Sequence, residues 1–240
     1  GLLSLLDNLQ RTASLVRDRL SGDAWRLLSN LHGTARSRAN GGGLDVDGAL
    51  ELLNTIVEEL AAFSGMQMEN MTRSIGWRLL DIGRRIERAT HLAKLVRELA
   101  TEGDAAGEGR LDLLLELGDS TMTYRTRYLS AVRMPPVLDL LVVDETNPRS
   151  IAFQASVLKG HISALPRDSE LATLSREEYL VEALSSELKL LDIDWICNAR
   201  TKRGKLLHLD RLLERQQNLC LELTDTLART YFSHATAKRS

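Results

Sequence analysis

The chain has 240 residues, of which 43% are hydrophobic and 4% aromatic, and its 31 basic and 33 acidic side chains give a formal net charge of −2. This balance of charge argues against nucleic acid as a partner, and the longest apolar runs, such as Leu140–Val143, are too short to cross a membrane. Cys197 and Cys220 have neither metal-ligand nor disulfide spacing, so the sequence favours a reducing, cytoplasmic environment.

Apolar residues recur at helical spacing along the chain, and no stretch alternates as a half-buried strand does. The predicted helices, in chain order, cover residues 2–19 and 21–38, a segment that Asp45 or Asp47 opens and that ends at 70, and then 73–100, 110–130, 135–143, 147–165, 175–195 and 206–232. The predicted loops include a glycine-rich turn at 40–43, a charged glycine-rich loop at 102–109 and a basic loop at 200–205. This order predicts an all-α fold over a single domain (residues 1–240), an antiparallel bundle of long helices with a few short helices inserted mid-chain.

Capping residues indicate where several of these helices begin. Ser21 is a typical N-cap for the second helix. Asn147 suits an N-cap position and Pro148 the first helical position, where a proline has no N–H group to leave unpaired. Ser175 followed by Glu178 forms a capping-box pattern, which predicts the start of the next helix.

The predicted helix over 73–100 carries the most information. Its core stripe has the spacing of one helix face and consists of Ile75, Leu79, Ile82, Ile86, Ala89 and Ala93. Gly83 lies on the flank of this stripe. Because a glycine destabilises a helix interior by about 1 kcal/mol relative to alanine, we expect a neighbouring backbone to approach it closely.

The opposite face of this helix mixes bulky apolar and ionisable side chains, among them Trp77 and His91. A solvated face would not normally carry a tryptophan, so we expect this helix to be covered on both sides. The carboxylate of Glu87 lies at helical pairing distance from Arg84 and next to Arg88, which places it between two guanidiniums. Two interpretations remain open: a structural ion-pair network between helices, or a site for a carboxylate or another anion.

Two further groups contain arginines beside polar or aromatic partners. Tyr124 and Arg127 lie within the segment YRTRY and can touch across one helix turn. Arg149 follows Asn147 and Pro148 at a predicted helix N-terminus, whose free N–H groups can hold a carboxylate or phosphate, although capping alone also explains this pattern. The candidate polar pocket comprises Arg84, Glu87, Arg88, Tyr124, Arg127 and Arg149, and its expected structural support comprises Trp77, Gly83, His91 and Asn147.

The chain contains none of the motifs that carry chemistry by themselves. It has no HxxxH, HExxH or ExxH spacing, no Walker loop, no GxGxxG and no GxSxG. We therefore expect no metal and no cofactor, and the sequence identifies no catalytic residue. Glu87 and His91 are one helical turn apart, which is better explained as structural pairing.

Several segments, in this order, carry a resemblance to a known family. They are LLDNLQRTASLVRDRLSGDAW (5–25), SGMQMENMTR (64–73), SIGWRLLDIGRRIERA (74–89), YRTRY (124–128) and NPRSIAF (147–153). Together they resemble the bacterial α-E domain, a helical domain named for a Glu-Arg motif, which here is Glu87-Arg88. Members of that family usually start with an earlier helix, so the resemblance implies that this chain lacks the family's N-terminal helix.

The resemblance also implies a functional context. α-E domains occur beside, or fused behind, circularly permuted ATP-grasp ligases, and near transglutaminase-like peptidase genes. The resemblance therefore implies that this chain is a helical accessory or interaction domain of an ATP-grasp-type peptide ligase system. Such a domain would bind the ligase, in the same chain or a neighbouring one, or an acidic, carboxylate-bearing peptide. Two alternatives stay open: a stand-alone enzyme that forms or hydrolyses amide bonds, and a purely structural scaffold, including a homodimeric one.

Overall fold

The computed structural model of the chain describes residues 1–40, 45–101, 109–166, 173–198, 200–202 and 204–232. It divides the chain into two compact units, Gly1–Trp77 and Arg78–Ser240. The described residues form eleven α-helices and no strand, so the predicted all-α fold of long helices with short helices between them is confirmed. The turn predicted at 40–43 and the loop predicted at 102–109 lie almost entirely outside the described residues.

The first unit is built from α1 (Leu2–Leu15), a 3-10 turn (Arg17–Arg19), α2 (Gly22–Asn40) and α3 (Val46–Asn70). The hydroxyl of Ser21 accepts a hydrogen bond from the amide of Ala24 at 3.1 Å, which confirms the predicted start of α2. The carboxylate of Asp45 accepts one from the amide of Gly48 at 2.8 Å and caps α3 in the same way.

The core of the first unit is small, and many large apolar residues of its helices are exposed. Its buried members are Leu6, Leu31, Ala35, Leu52 and Ile56. Helix α1 packs on α2, and α2 packs on α3. Beside the core, Asp7 on α1 accepts a hydrogen bond from Arg36 on α2 at 3.0 Å and lies 2.7 Å from His32, so polar contacts also join these two helices.

The second unit begins in the first turn of α4 and contains the larger core. Its helices are α4 (Ile75–Ala100), α5 (Arg110–Leu117), α6 (Thr121–Tyr128), α7 (Met134–Leu138), α8 (Ile151–Ile162), α9 (Arg176–Lys189), α10 (Ile193–Asn198) and α11 (Leu207–Phe232). A π-helical turn, Asp139–Val143, continues α7 and packs on α8, while α9 packs on both α8 and α11. Among the helices that the structure describes, none has the length and apolar character of a membrane span.

The predicted core stripe of α4 is confirmed over most of its length. Ile82, Ile86, Ala89 and Ala93 are all buried in the core of the second unit. Ile75, at the start of the helix, is exposed. The 3.6-residue period therefore identified the buried face correctly, except at the helix end.

The predicted helix over 110–130 is interrupted, because α5 ends at Leu117 and α6 begins at Thr121. A Cβ atom at Gly118 would lie 3.0 Å from the carbonyl oxygen of Leu114 and 3.1 Å from the side chain of Leu141. The next residue, Asp119, has a left-handed φ of 47°. The glycine thus allows the π-helical turn to pack closely here, and the chain leaves the helix at this point.

Helix α8 begins later than predicted. Ser150 is its N-cap, since its hydroxyl accepts a hydrogen bond from the amide of Phe153 at 2.9 Å. The predicted N-cap role of Asn147 is therefore wrong. Asn147 is buried instead, and its side-chain amide donates to the carbonyl oxygen of Leu140 at 2.9 Å, which holds the turn before the helix.

The capping box predicted for α9 is confirmed, although the helix ends at Lys189 rather than near residue 195. Ser175 Oγ accepts a hydrogen bond from the amide of Glu178 at 3.2 Å, and the Glu178 carboxylate accepts one from the amide of Ser175 at 2.9 Å.

Ser175→Ala should lower the free energy of unfolding by about 1 kcal/mol, because an amide of the first turn loses its partner. Urea denaturation followed by circular dichroism measures this change. The control is Ser156→Ala on an exposed position of α8, and equal midpoints for the two variants would contradict the prediction.

Candidate functional site

A buried carboxylate on α4 organises a polar cluster in the second unit. The side chain of Asp81 is 3% exposed. Its Oδ2 accepts a hydrogen bond from Arg85 Nε at 3.1 Å and lies 2.8 Å from Nε2 of His161 on α8. Its Oδ1 lies 3.5 Å from Arg84 Nη1, at ion-pair distance. One carboxylate therefore holds two guanidiniums and an imidazole in place.

These contacts keep Asp81 ionised despite its burial. Burial by itself would raise the pKa of this carboxyl group. The hydrogen bonds from His161 and Arg85, together with the charges of Arg85 and Arg84, outweigh that effect and hold the pKa below its usual range. Two arginines consequently share one negative charge at neutral pH.

Arg85 also links this carboxylate to the turn before α8. Its Nη1 donates a hydrogen bond to Oε1 of the buried Gln154 at 3.2 Å. Nε2 of Gln154 donates in turn to the carbonyl oxygen of Pro148 at 2.7 Å. Because Pro148 directly precedes Arg149 in the chain, these two hydrogen bonds fix the backbone that carries Arg149 beside α4.

Arg88 adds a further positive charge, one turn along α4 from Arg84. Its side chain is half-buried and forms no ion pair with any described residue. Burial lowers the pKa of Arg88, the charges of Arg85, Arg149 and Arg84 lower it further, and Asp81 opposes this shift. A guanidinium among three others is repelled by them, so an anion that approached Arg88 would be attracted by the whole group.

Arg149, in the turn before α8, has an exposed partner. Its guanidinium donates a hydrogen bond to the carboxylate of Asp119, whose side chain is 69% exposed. An ion pair as exposed as this one contributes little to stability. We name Arg84, Arg85, Arg88 and Arg149 the arginine cluster. In the part of the chain that the structure describes, the carboxylates in ion pairs with this cluster are Asp81 and Asp119.

The structure brings together only part of the predicted pocket. Arg84, Arg88 and Arg149 belong to the arginine cluster. Glu87 is exposed and instead lines an apolar groove of about 250 Å³ between α4 and α11. The expected pairing of Arg84 with Glu87 is not observed, because Asp81, also one helical turn away, pairs with Arg84 on the buried side.

Tyr124 and Arg127 on α6 have contacts of their own. Tyr124 is buried, and its hydroxyl donates to the carbonyl oxygen of Ala131 at 3.1 Å and accepts from the amide of Arg133 at 3.2 Å. Arg127 forms an ion pair with Asp144. These contacts hold the segment after α6 and the turn before α8, which is a structural role.

Of the four predicted support residues, two are buried. Trp77 is buried beneath the guanidinium of Arg73, which lies 4.2 Å from the centre of its ring, and Asn147 holds the turn before α8. Gly83 and His91 are exposed. A Cβ atom built on Gly83 meets no described atom within 4 Å, so the close backbone approach expected at this glycine is not observed.

The sequence pattern did not identify four residues of the polar group around Asp81. They are Asp81 itself, Arg85, Gln154 and His161. Asp81 carried a usable signal, since it lies three and four residues before Arg84 and Arg85, a spacing typical of helical ion pairs. Gln154 and His161 lie 69 and 80 residues from their partners on α4. Nothing in the local pattern around them indicated those contacts.

The arginine cluster is suited to anion binding. Guanidiniums remain charged at neutral pH, donate several hydrogen bonds in one plane and accept none, so they bind carboxylates and phosphates but do not serve as acid–base catalysts. No group of three or more histidine, cysteine, aspartate or glutamate side chains that could hold a metal ion is found among the described residues.

Known proteins resemble this chain over most of its length. Uncharacterized protein Rv2567 from Mycobacterium tuberculosis and uncharacterized protein Mb2597 from Mycobacterium bovis are each 30% identical to it over 194 residues, which is 79% of this chain. The matched residues are 22% of each relative, so the chain spans about a fifth of the length of the curated relatives it matches. No solved structure matches the chain.

A family profile matches almost the whole chain. The Alpha-E family, described as "a predicted alpha-helical domain with a conserved ER motif", matches residues 1–232. The match includes all eleven described helices. The chain belongs to the Alpha-E family.

Proposed function

We propose that this chain is a helical accessory domain of an ATP-grasp-type peptide ligase system, and that its arginine cluster binds a carboxylate-bearing peptide. The observation that carries this proposal is the excess of positive charge in the cluster. Four guanidiniums lie with two paired carboxylates, and Arg88 has no ion pair among the described residues. An anion from a bound peptide would complete the site.

The chemistry of the cluster favours a carboxylate ligand. A guanidinium and a carboxylate form two parallel hydrogen bonds, which gives orientation as well as binding energy. Arg149 already holds such a group, the carboxylate of Asp119. Since the four arginines exceed their two carboxylates by two charges, a ligand with two negative charges fits best. A C-terminal glutamate, with its α-carboxylate and side-chain carboxylate, has this property.

The ligase context rests on family membership. α-E domains occur beside, or fused behind, circularly permuted ATP-grasp ligases, so the proposed protein partner is such a ligase in the same chain or a neighbouring one. The matched residues are 22% of each mycobacterial relative, which supports a domain that works within a larger chain. A cytoplasmic location is part of this proposal, because Cys197 and Cys220 are buried free thiols.

Calorimetric titration with a short peptide that ends in glutamate should show saturable binding that weakens as the salt concentration rises. The control peptide ends in glutamine with an amidated C-terminus and therefore lacks both carboxylates. In parallel, the purified ATP-grasp ligase encoded in the same reading frame or beside it should be retained by the immobilised chain. A chain that bound neither the peptide nor the ligase would refute the proposed function.

A further inference from the structure

Helix α3 carries a second apolar stripe, separate from the face that packs into the core of the first unit. All five of its residues are large and hydrophobic, and they are 37–76% exposed. They are Val46, Leu50, Leu53, Val57 and Leu60. We name these five residues the α3 seam.

The α3 seam has the spacing of a coiled coil. Its successive members are four, three, four and three residues apart. This is the 3.5-residue repeat of the a and d positions in a heptad, which forms a narrow stripe that packs against one other helix. The core residues Leu52 and Ile56 lie about 100° around the helix from the middle of the seam. The seam is therefore a distinct surface, shaped for a single helix.

We propose that the α3 seam binds the α3 seam of a second copy of this chain, as an antiparallel two-helix coiled coil. With a twofold axis midway along the seam, between Leu53 and Val57, Leu50 faces Leu60 of the partner subunit and Leu53 faces Val57 of the partner subunit. The twofold repeats both pairs, which gives four layers that are apolar on both sides, while Val46 at the end of the seam faces Ser64 of the partner subunit. A surface that is complementary to itself in this way meets the requirement of a twofold interface.

The residues that border the seam also fit pairing with a second copy. Across the twofold axis, Asn54 approaches its own counterpart and Asp47 approaches Ala61 of the partner subunit. No two like charges meet at these border positions. Glu51 and Glu58 lie farther around α3 on exposed positions, and Glu51 forms an ion pair with Arg38 of α2 at 3.6 Å.

The size of the seam indicates a weak, concentration-dependent dimer. Stable protein interfaces bury about 800 Å² on each partner, and five side chains of one helix provide less than that. We therefore expect a dissociation constant in the micromolar range or above. The association should become visible when the concentration of the chain is raised.

Sedimentation equilibrium of the 240-residue chain, from about 1 µM to about 500 µM, should show a reversible shift from monomer to dimer. Leu53→Glu combined with Val57→Glu places charges in two facing layers and should weaken association more than about tenfold. Leu15→Glu is the matched control, because Leu15 is an exposed leucine of the same unit outside the seam. It should dimerise like the unmodified chain.

A second measurement identifies which surfaces meet. Asn54→Cys should form a covalent dimer under mild oxidation, whereas Glu69→Cys, at the exposed end of α3, should not. The native thiols do not interfere, because burial raises the pKa of Cys197 and Cys220 to about 11. A chain that stays monomeric at the highest concentration, or equal cross-linking of the two cysteine variants, would overturn the proposal.

Discussion

Asp81→Ala should lower the free energy of unfolding by about 3–5 kcal/mol, because it leaves buried charged partners without a counter-ion. The two oxygens of Asp81 contact Arg84, Arg85 and His161, and its side chain is 3% exposed. In the variant, both arginines keep their charges where water reaches them poorly. Urea denaturation followed by circular dichroism measures the loss of stability.

Asp119→Ala is the control for this experiment, because it also removes a carboxylate that is paired with the arginine cluster. The ion pair of Asp119 with Arg149 is exposed, so its loss should change stability little. The comparison separates the buried from the exposed counter-ion. If the two variants unfolded at the same urea concentration, Asp81 would not be the organising charge of the cluster.

The contribution of Asp81 should also disappear in acid. Its pKa in the folded chain lies below the unfolded value of about 3.9, so the ionised carboxylate stabilises the fold above that pH. This stabilisation is lost as the pH falls through the folded pKa. The difference in stability between the unmodified chain and Asp81→Ala should therefore shrink as the pH falls below about 4. A difference that did not change on acidification would contradict the assigned charge state.

Arg88→Gln should weaken binding of the glutamate-ended peptide by about 10- to 100-fold, the effect expected for one charge-assisted hydrogen bond. The same variant should be as stable as the unmodified chain, or more stable. Arg88 forms no ion pair with a described residue, and its lowered pKa reflects first its burial and then repulsion by the charges of Arg85, Arg149 and Arg84. Calorimetric titration measures the binding, and thermal unfolding measures the stability.

Arg85→Gln provides the contrast, because Arg85 is engaged within the fold. Its guanidinium donates hydrogen bonds to Asp81 and Gln154, so this variant should lose stability. Removal of Arg88 would thus weaken peptide binding, and removal of Arg85 would destabilise the fold. If Arg88→Gln bound the peptide normally and lost as much stability as Arg85→Gln, the cluster would be a structural ion-pair network. That was the other interpretation which the sequence pattern left open.

The parts of the fold that depend on neighbours in the chain could be predicted. The cap of α2 at Ser21 and the capping box of Ser175 with Glu178 involve hydrogen bonds across three residues. The buried face of α4 follows from its helical period. The break at Gly118 could not be predicted, because it depends on the side chain of Leu141, which reaches it from another segment.

Prediction of the candidate site was incomplete for a related reason. Spacing along α4 placed Arg84, Glu87 and Arg88 within reach of one another, but it did not show which carboxylate lies on the buried side. Asp81 lies three residues before Arg84 just as Glu87 lies three residues after it. The two acidic residues are equivalent by spacing, and only their burial separates them.

The sequence by itself determined that this protein is all-helical, where most of its helices begin and to which family it belongs, since these follow from local periodicity, capping chemistry and motif order. The tertiary structure decided which charges neutralise one another. Gln154 and His161 on α8 meet Arg85 and Asp81 on α4 from 69 and 80 residues away, and that contact makes Asp81 the buried counter-ion. It leaves Arg88 without an ion pair among the described residues, because a single carboxylate in a dehydrated position is already shared by its two arginine neighbours.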